Sequence, residues 1–178
     1  MLFLGSFPPP KMRWSMDFFY PNFTNDFWRI MGLIHFDDKT YFEAQGEKCF
    51  DKARIIEFAN IQGLAFFDTA TKVNRLKGNA SDNFLEIIEP TDIGTLLGAM
   101  PFCNRIITTG GKASEELQKQ LSRASGLPED ETVPLPKIGT AITLNAFGRK
   151  IEWWRMPSSS RAYPLKLEKK AEEYRKLF

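Results

Sequence analysis

The chain has 178 residues, 43% apolar and 26% charged, with a net charge of +2, one histidine and two cysteines. That balance suits one globular domain, residues 1–178, with a real core. It argues against a disulfide framework, a four-thiolate iron–sulfur cluster, a Ser-His-Asp triad and a histidine-rich metal site. No apolar run approaches the roughly 20 residues that span a bilayer, and the start lacks signal-peptide features, so the expectation is a soluble, cytoplasmic monomer without cofactor or metal.

Met1 to Leu4 is an apolar run ended by Gly5, which suits a buried parallel strand. Phe7-Pro8-Pro9-Pro10 forbids helix and imposes a stiff, extended loop. After the aromatic stretch from Trp14 to Tyr20, Thr24 or Asn25 is placed to cap a helix running to Gly32. Asp51 to Asn60 predicts a second helix, and Gly63 to Asp68 a second strand. Residues 69–91 read as a polar loop, with a turn at Lys77-Gly78-Asn79. Asp92 caps a short helix through Leu97, Asn104 to Thr108 is a third strand, and Gly110-Gly111 opens a helix to Arg123. Residues 125–139 are loop. Ala141 to Leu144 and Lys150 to Arg155 are later strands, and Pro164 starts a charged C-terminal helix whose Lys166, Lys169 and Lys170 form a solvated face. Strands alternating with helices predict an α/β fold with a mostly parallel sheet. Ligands bind at the carboxyl ends of such strands, which singles out residues 5–25, 68–82 and 156–163.

Three stretches there carry chemistry. Gly5-Ser6-Phe7-Pro8-Pro9 couples a flexible residue to fixed prolines, so its free N–H groups are suited to a flat ligand or, more simply, the loop is only rigid. In the segment Phe18 to Trp28, one of Phe18, Phe19 and Tyr20 is suited to stack on a base while the others pack. Asn25 both donates and accepts, although its simplest role is a helix cap. Pro157-Ser158-Ser159-Ser160-Arg161 offers hydroxyls and a cation to phosphates, or else a capping turn. Asp68, at a strand end, is a second catalytic candidate. Lys112, behind Gly110-Gly111, resembles part of a phosphate cradle but lacks the full nucleotide-binding pattern. His35 lies in an apolar stretch and reads as structural.

Taken in order, Leu4-Gly5-Ser6-Phe7-Pro8-Pro9, Asn25-Asp26-Phe27-Trp28, Gly63 to Asp68, Thr109-Gly110-Gly111-Lys112-Ala113 and Met156-Pro157-Ser158-Ser159-Ser160 resemble the motifs of the uracil-DNA glycosylase superfamily. They are most similar to its hypoxanthine-DNA and mismatch-specific uracil-DNA glycosylase branches. The resemblance implies a three-layer α/β/α sandwich around a four-stranded, mostly parallel sheet. It also implies a monofunctional enzyme that flips a deaminated base, uracil or hypoxanthine, out of DNA and hydrolyses its glycosidic bond. By the same resemblance Asn25 is catalytic and Gly5, Ser6 and Pro8 fall on the base-holding motif; Asp68 joins Asn25 as a catalytic candidate, and Phe7, Phe18 and Phe19 join the base-holding set, on their residue types and places. Pro157, Ser158, Ser159, Ser160, Arg161 and Lys112 contact DNA. Phe7 stands where many members carry Asn or Asp, and Met156 where the classical uracil enzymes carry His. Two alternatives remain at this level: a weak or inactive nucleic-acid-binding relative, and a hydrolase of free nucleosides or nucleotides.

Overall fold

The computed structural model describes residues 1–5, 7–76 and 84–178. In chain order the elements are β1 (Leu2–Gly5), α1 (Phe27–Phe36), α2 (Lys52–Ile61), β2 (Ala65–Asp68), β3 (Ala70–Arg75), β4 (Leu85–Pro90), α3 (Ile93–Gly98), β5 (Arg105–Thr109), α4 (Gly111–Ala124), β6 (Thr140–Ala146), β7 (Arg149–Met156) and α5 (Leu167–Tyr174). They fall into two compact units, Met1–Phe7 with Ala65–Met156, and Pro8–Leu64 with Pro157–Phe178.

The first unit holds a mixed, mostly parallel five-stranded sheet in the order β2-β1-β5-β7-β6. β1, β2, β5 and β7 run parallel, and β6 pairs antiparallel with β7. The sheet therefore has five strands, not the four that the resemblance implied. The extra strand follows from Phe147-Gly148, both in the left-handed region (φ 52° and 71°). Two such residues make the hairpin turn whose twist matches antiparallel strands, so β6 folds directly back onto β7.

Parallel strands are buried on both faces, and β1 reads accordingly: Leu2, Phe3 and Leu4 are all fully buried. Leu2 and Leu4 share one face and join Ile106, Ile151 and Trp153 from the sheet, Ile93 and Leu97 from α3, and Leu117 and Leu121 from α4 in one apolar cluster. Phe3 points the other way and stacks on Phe66 with ring centres 5.6 Å apart. α4 turns Ala113, Leu117 and Leu121 inward at four-residue intervals. The buried hydroxyl of Thr108 accepts from Trp153 Nε1 at 3.0 Å and from Ser114 Oγ at 2.9 Å, which pairs these three polar groups inside the core.

Residues 69–91 are not simply a loop. β3 and β4 pair antiparallel as a separate two-stranded sheet. Thr71, Lys72, Asn74, Glu86, Ile88 and Glu89 are exposed, so little apolar alternation marked these strands. The turn expected at Lys77-Gly78-Asn79 lies outside the described residues.

The second unit is built on aromatic packing. Phe27, Trp28, Ile30 and Met31 of α1 are fully buried, with Phe42, Phe50, Ile55, Phe58, Tyr174 and Leu177 also inside. Trp28 meets Phe42 edge-on at 5.8 Å, and Phe27 meets Tyr174 of α5 at 6.3 Å. α1 begins at Phe27 and passes through Gly32 to Phe36. Gly32 is a packing position and not the stop that its type suggested, because a Cβ there would collide with the Asp38 carbonyl. Asp92 caps α3 as expected, and Asp51, expected inside α2, is its cap; they accept from Thr95 and Arg54 N–H groups. α5 begins at Leu167, later than Pro164; the intervening chain is held in tight turns by Tyr163 N to Ser160 O and Leu165 N to Tyr163 O. Among the described residues no helix is long and apolar enough to cross a membrane.

Candidate active site

Within the second unit the asparagine segment and the serine loop are joined. Asn25 and Ser160 form an isolated antiparallel bridge, and Asp26 N–H donates to Ser159 O at 2.9 Å. The Asp26 carboxylate, almost fully buried, accepts from Lys170 Nζ at 2.9 Å and from Arg161 Nε at 3.3 Å. Lys170 Nζ also donates to Ser160 O at 2.8 Å, and Tyr174 Oη to Pro157 O at 2.7 Å. Lys170 is thus no member of a solvated face: it is completely buried. Its position one turn before Tyr174 turns it inward with that ring. A buried cation is tolerated only when it is paired and hydrogen-bonded, and Lys170 has both kinds of partner. The pair fastens α5, the start of α1 and the serine loop together.

The N-cap residue of α1 is Asp26 and not the expected Thr24 or Asn25; Asn25 precedes it and closes a local turn. Its Oδ1 accepts from Phe27 N–H at 2.8 Å, while its backbone oxygen accepts from Arg29 Nη1 at 3.1 Å. Arg29 lies over the rings of Phe23 and Phe50, at 4.4 and 5.2 Å, and pairs with Glu43 at 2.7 Å. Among the described residues the Asn25 Nδ2 makes no hydrogen bond, so its donors remain available.

In the serine loop, Ser158 Oγ accepts from Ser160 N–H and Ser160 Oγ from Ala162 N–H, at 3.2 and 3.3 Å. Each hydroxyl keeps its own hydrogen to donate. Pro157 and Ser159 are buried and anchor the loop; Ser158 and Ser160 are half-buried and Arg161 is exposed.

The three aromatic candidates separate by contact. Tyr20 lies flat on Phe27, with centres 3.8 Å apart, and is a packing residue. Phe18 and Phe19 are half-buried and meet edge-to-face at 5.3 Å, and Phe19 O accepts from Trp28 Nε1 at 3.0 Å. Pro8 opens a proline stretch steadied by Trp14 Nε1, which donates to Pro9 O at 2.6 Å. His35 packs edge-on against Phe58 and Phe178, and desolvation lowers its pKa.

In the first unit the carboxyl edge of the sheet brings Gly5 beside Asp68 in register, and Thr109 beside Met156. Burial alone raises the Asp68 pKa to about 6. Charging a carboxylate away from water is costly, and among the described residues no hydrogen bond or ion pair reaches its side chain. Its backbone is fixed instead, with Asp68 O accepting from Thr91 Oγ1 at 2.7 Å. Phe7 is half-buried and Met156 fully buried; Ser6 lies outside the described residues. Lys112, in the first turn of α4, faces Glu116 at 3.6 Å. The described residues contain no group of three or more potential metal ligands.

Sequence reasoning missed Asp26, Arg29 and Lys170. Asp26 and Lys170 lie 144 residues apart, and no local pattern announces such a pair. The available signal was Ala171 and Tyr174, which mark the buried side of α5. No family model, no curated protein and no solved structure matches the chain.

Proposed function

We propose that this chain is a monofunctional DNA glycosylase that hydrolyses the N-glycosidic bond of uracil or hypoxanthine flipped out of DNA. The proposal includes the uracil-DNA glycosylase-like three-layer sandwich, action as a monomer, and a cytoplasmic or nucleoid-associated setting. The observation that carries it is the Asn25–Ser160 bridge, locked by the buried Asp26–Lys170 pair. It couples an amide suited to water or a nucleobase edge to a loop of hydroxyls and a cation suited to phosphates. One rigid element then serves chemistry and grip together.

In this mechanism Phe19 or Phe18 stacks on the extruded base. As the glycosidic bond lengthens, positive charge grows on the sugar and negative charge on the base. Asn25 Nδ2 donates to the attacking water and holds it beneath C1′. Asp68, with its raised pKa, is ionised above about pH 6 and is the proposed general base. The water oxygen bonds C1′, the base leaves with the bond pair, and a proton returns to it. No lysine acts as a nucleophile, so the strand stays intact. Ser158, Ser160 and Arg161 hold phosphates.

The test is single-turnover incubation with duplexes carrying one uracil or one hypoxanthine, followed by alkaline cleavage. Alkali-labile sites at the lesion are expected. Binding without such sites favours the second reading, a non-catalytic DNA-binding relative. The occupied Asn25 Oδ1 and the apolar, buried Met156 are the observations on its side.

A further inference from the structure

Asn25 is held at every polar group but one. Its N–H donates to Asn22 O at 2.8 Å, its Oδ1 accepts from Phe27 N–H at 2.8 Å, and its carbonyl accepts from Arg29 Nη1 at 3.1 Å. The carbonyl contact comes from a side chain and not from the helix backbone, whose pairing begins one residue later, with Ile30 N–H donating to Asp26 O at 2.8 Å. The same Nη1 donates to Phe23 O at 2.6 Å. One nitrogen therefore ties together the two carbonyls that flank Thr24, in the turn from which Asn25 projects.

Arg29 is itself fixed from all sides. It is only 8% exposed. Its Nη2 pairs with Glu43 at 2.7 Å, and its guanidinium carbon lies 4.4 Å from the centre of the Phe23 ring and 5.2 Å from that of Phe50. Glu43 and Phe50 form an isolated antiparallel bridge, closed by Ala44 N to Cys49 O at 3.0 Å and Asp51 N to Phe42 O at 2.8 Å. Residues 42–51 thus present a carboxylate and a ring to the same cation. A planar guanidinium offers two carbonyls one nitrogen and a carboxylate the other while packing on aromatic rings; a lysine ammonium has no such fork.

We infer that Arg29 is the positioning residue for Asn25. Through the Phe23 and Asn25 carbonyls it fixes the backbone that presents the Asn25 amide to the attacking water, and Glu43 and Phe50 fix Arg29 in turn. This rests on the glycosylase reading above. A displacement of about 1 Å at a reacting group can cost about a hundredfold in rate, and groups that support a site from behind exist to prevent it. The loss on removing Arg29 therefore falls on the chemical step and not on DNA affinity.

A double-mutant cycle separates aiming from folding. Single-turnover base release from lesion-bearing duplex, and duplex affinity by fluorescence anisotropy, are measured well below each variant's melting temperature. The variants are Arg29→Lys, Glu43→Ala, Asn25→Ala, and each of the first two combined with Asn25→Ala. Arg29→Lys should slow release about tenfold or more with less than about a twofold change in affinity. Glu43→Ala leaves the arginine in place and should slow release about threefold. In the Asn25→Ala background both substitutions should change the residual rate by less than about twofold, because no amide is left to aim. Where Arg29→Lys melts below the assay temperature, Glu43→Ala carries the same comparison. An undiminished loss in the Asn25→Ala background, an equal loss of affinity, or wild-type rates in Arg29→Lys, Glu43→Ala or Asn25→Ala overturns the positioning role and leaves the glycosylase reading standing. A wild-type protein that releases no base overturns both.

Discussion

Lys170→Met is the most informative perturbation of stability. It leaves a similar side-chain volume but strips Asp26 of the cation at 2.9 Å and Ser160 O of its donor at 2.8 Å. Asp26 cannot escape to water, being only 6% exposed. Arg161 remains beside it at 3.3 Å, but that side chain is 56% exposed and its attraction is screened. Removing one partner of a buried pair costs about 3–5 kcal/mol; the remaining arginine puts the expectation near about 3 kcal/mol. For a chain of this size that lowers the melting temperature by roughly 6–12 °C. Urea unfolding followed by circular dichroism reads the change directly. Asp26→Asn combined with Lys170→Met removes the stranded charge and should recover at least half of the loss. A cost below about 1 kcal/mol for Lys170→Met, or no recovery in the double variant, would refute the claim that this pair fastens the serine loop to α1.

Two further outcomes follow from the site. Asp68 ionises near pH 6 in the folded chain against about 3.9 in the unfolded one. The folded state therefore binds more protons between these values, and stability falls as pH rises through that window, by about 3 kcal/mol at most. Asp68→Asn should flatten the slope of urea midpoints from pH 4 to 7 and abolish the rise in activity through pH 6; an unchanged slope removes Asp68 from the account. Asn25→Ala should reduce base release by about a hundredfold or more, costing only about 1 kcal/mol through the lost hydrogen bond from Phe27 N–H. Fluorescence anisotropy with lesion-bearing duplex should show near-normal binding, and wild-type rates in this variant would leave Asn25 a turn residue alone.

Local signals were read correctly where local physics decides. Asp92 caps a helix because a short carboxylate reaches the N–H groups two or three residues ahead, and the buried run of β1 advertises a parallel strand. Gly110-Gly111 marked the start of α4. Strands with little apolar alternation were hidden. β3 and β4 have few buried positions, so polar composition looked like loop. Gly32 looked like a helix stop until the Asp38 carbonyl explained its lack of a Cβ. The site was legible in the same uneven way. Asn25 and the serine loop stood out by residue type, while Asp26 and Lys170, which bind them together, resembled an ordinary helix start and an ordinary charged helix.

The claim that organises all of this is hydrolytic release of a deaminated base. Protein in molar excess over a duplex with one uracil or hypoxanthine, analysed by mass spectrometry for free base, addresses it without intermediaries. The account predicts free base in proportion to lesion, with both strands unbroken before alkali. Tight DNA binding with every base still attached, or strand scission accompanying release, would contradict it.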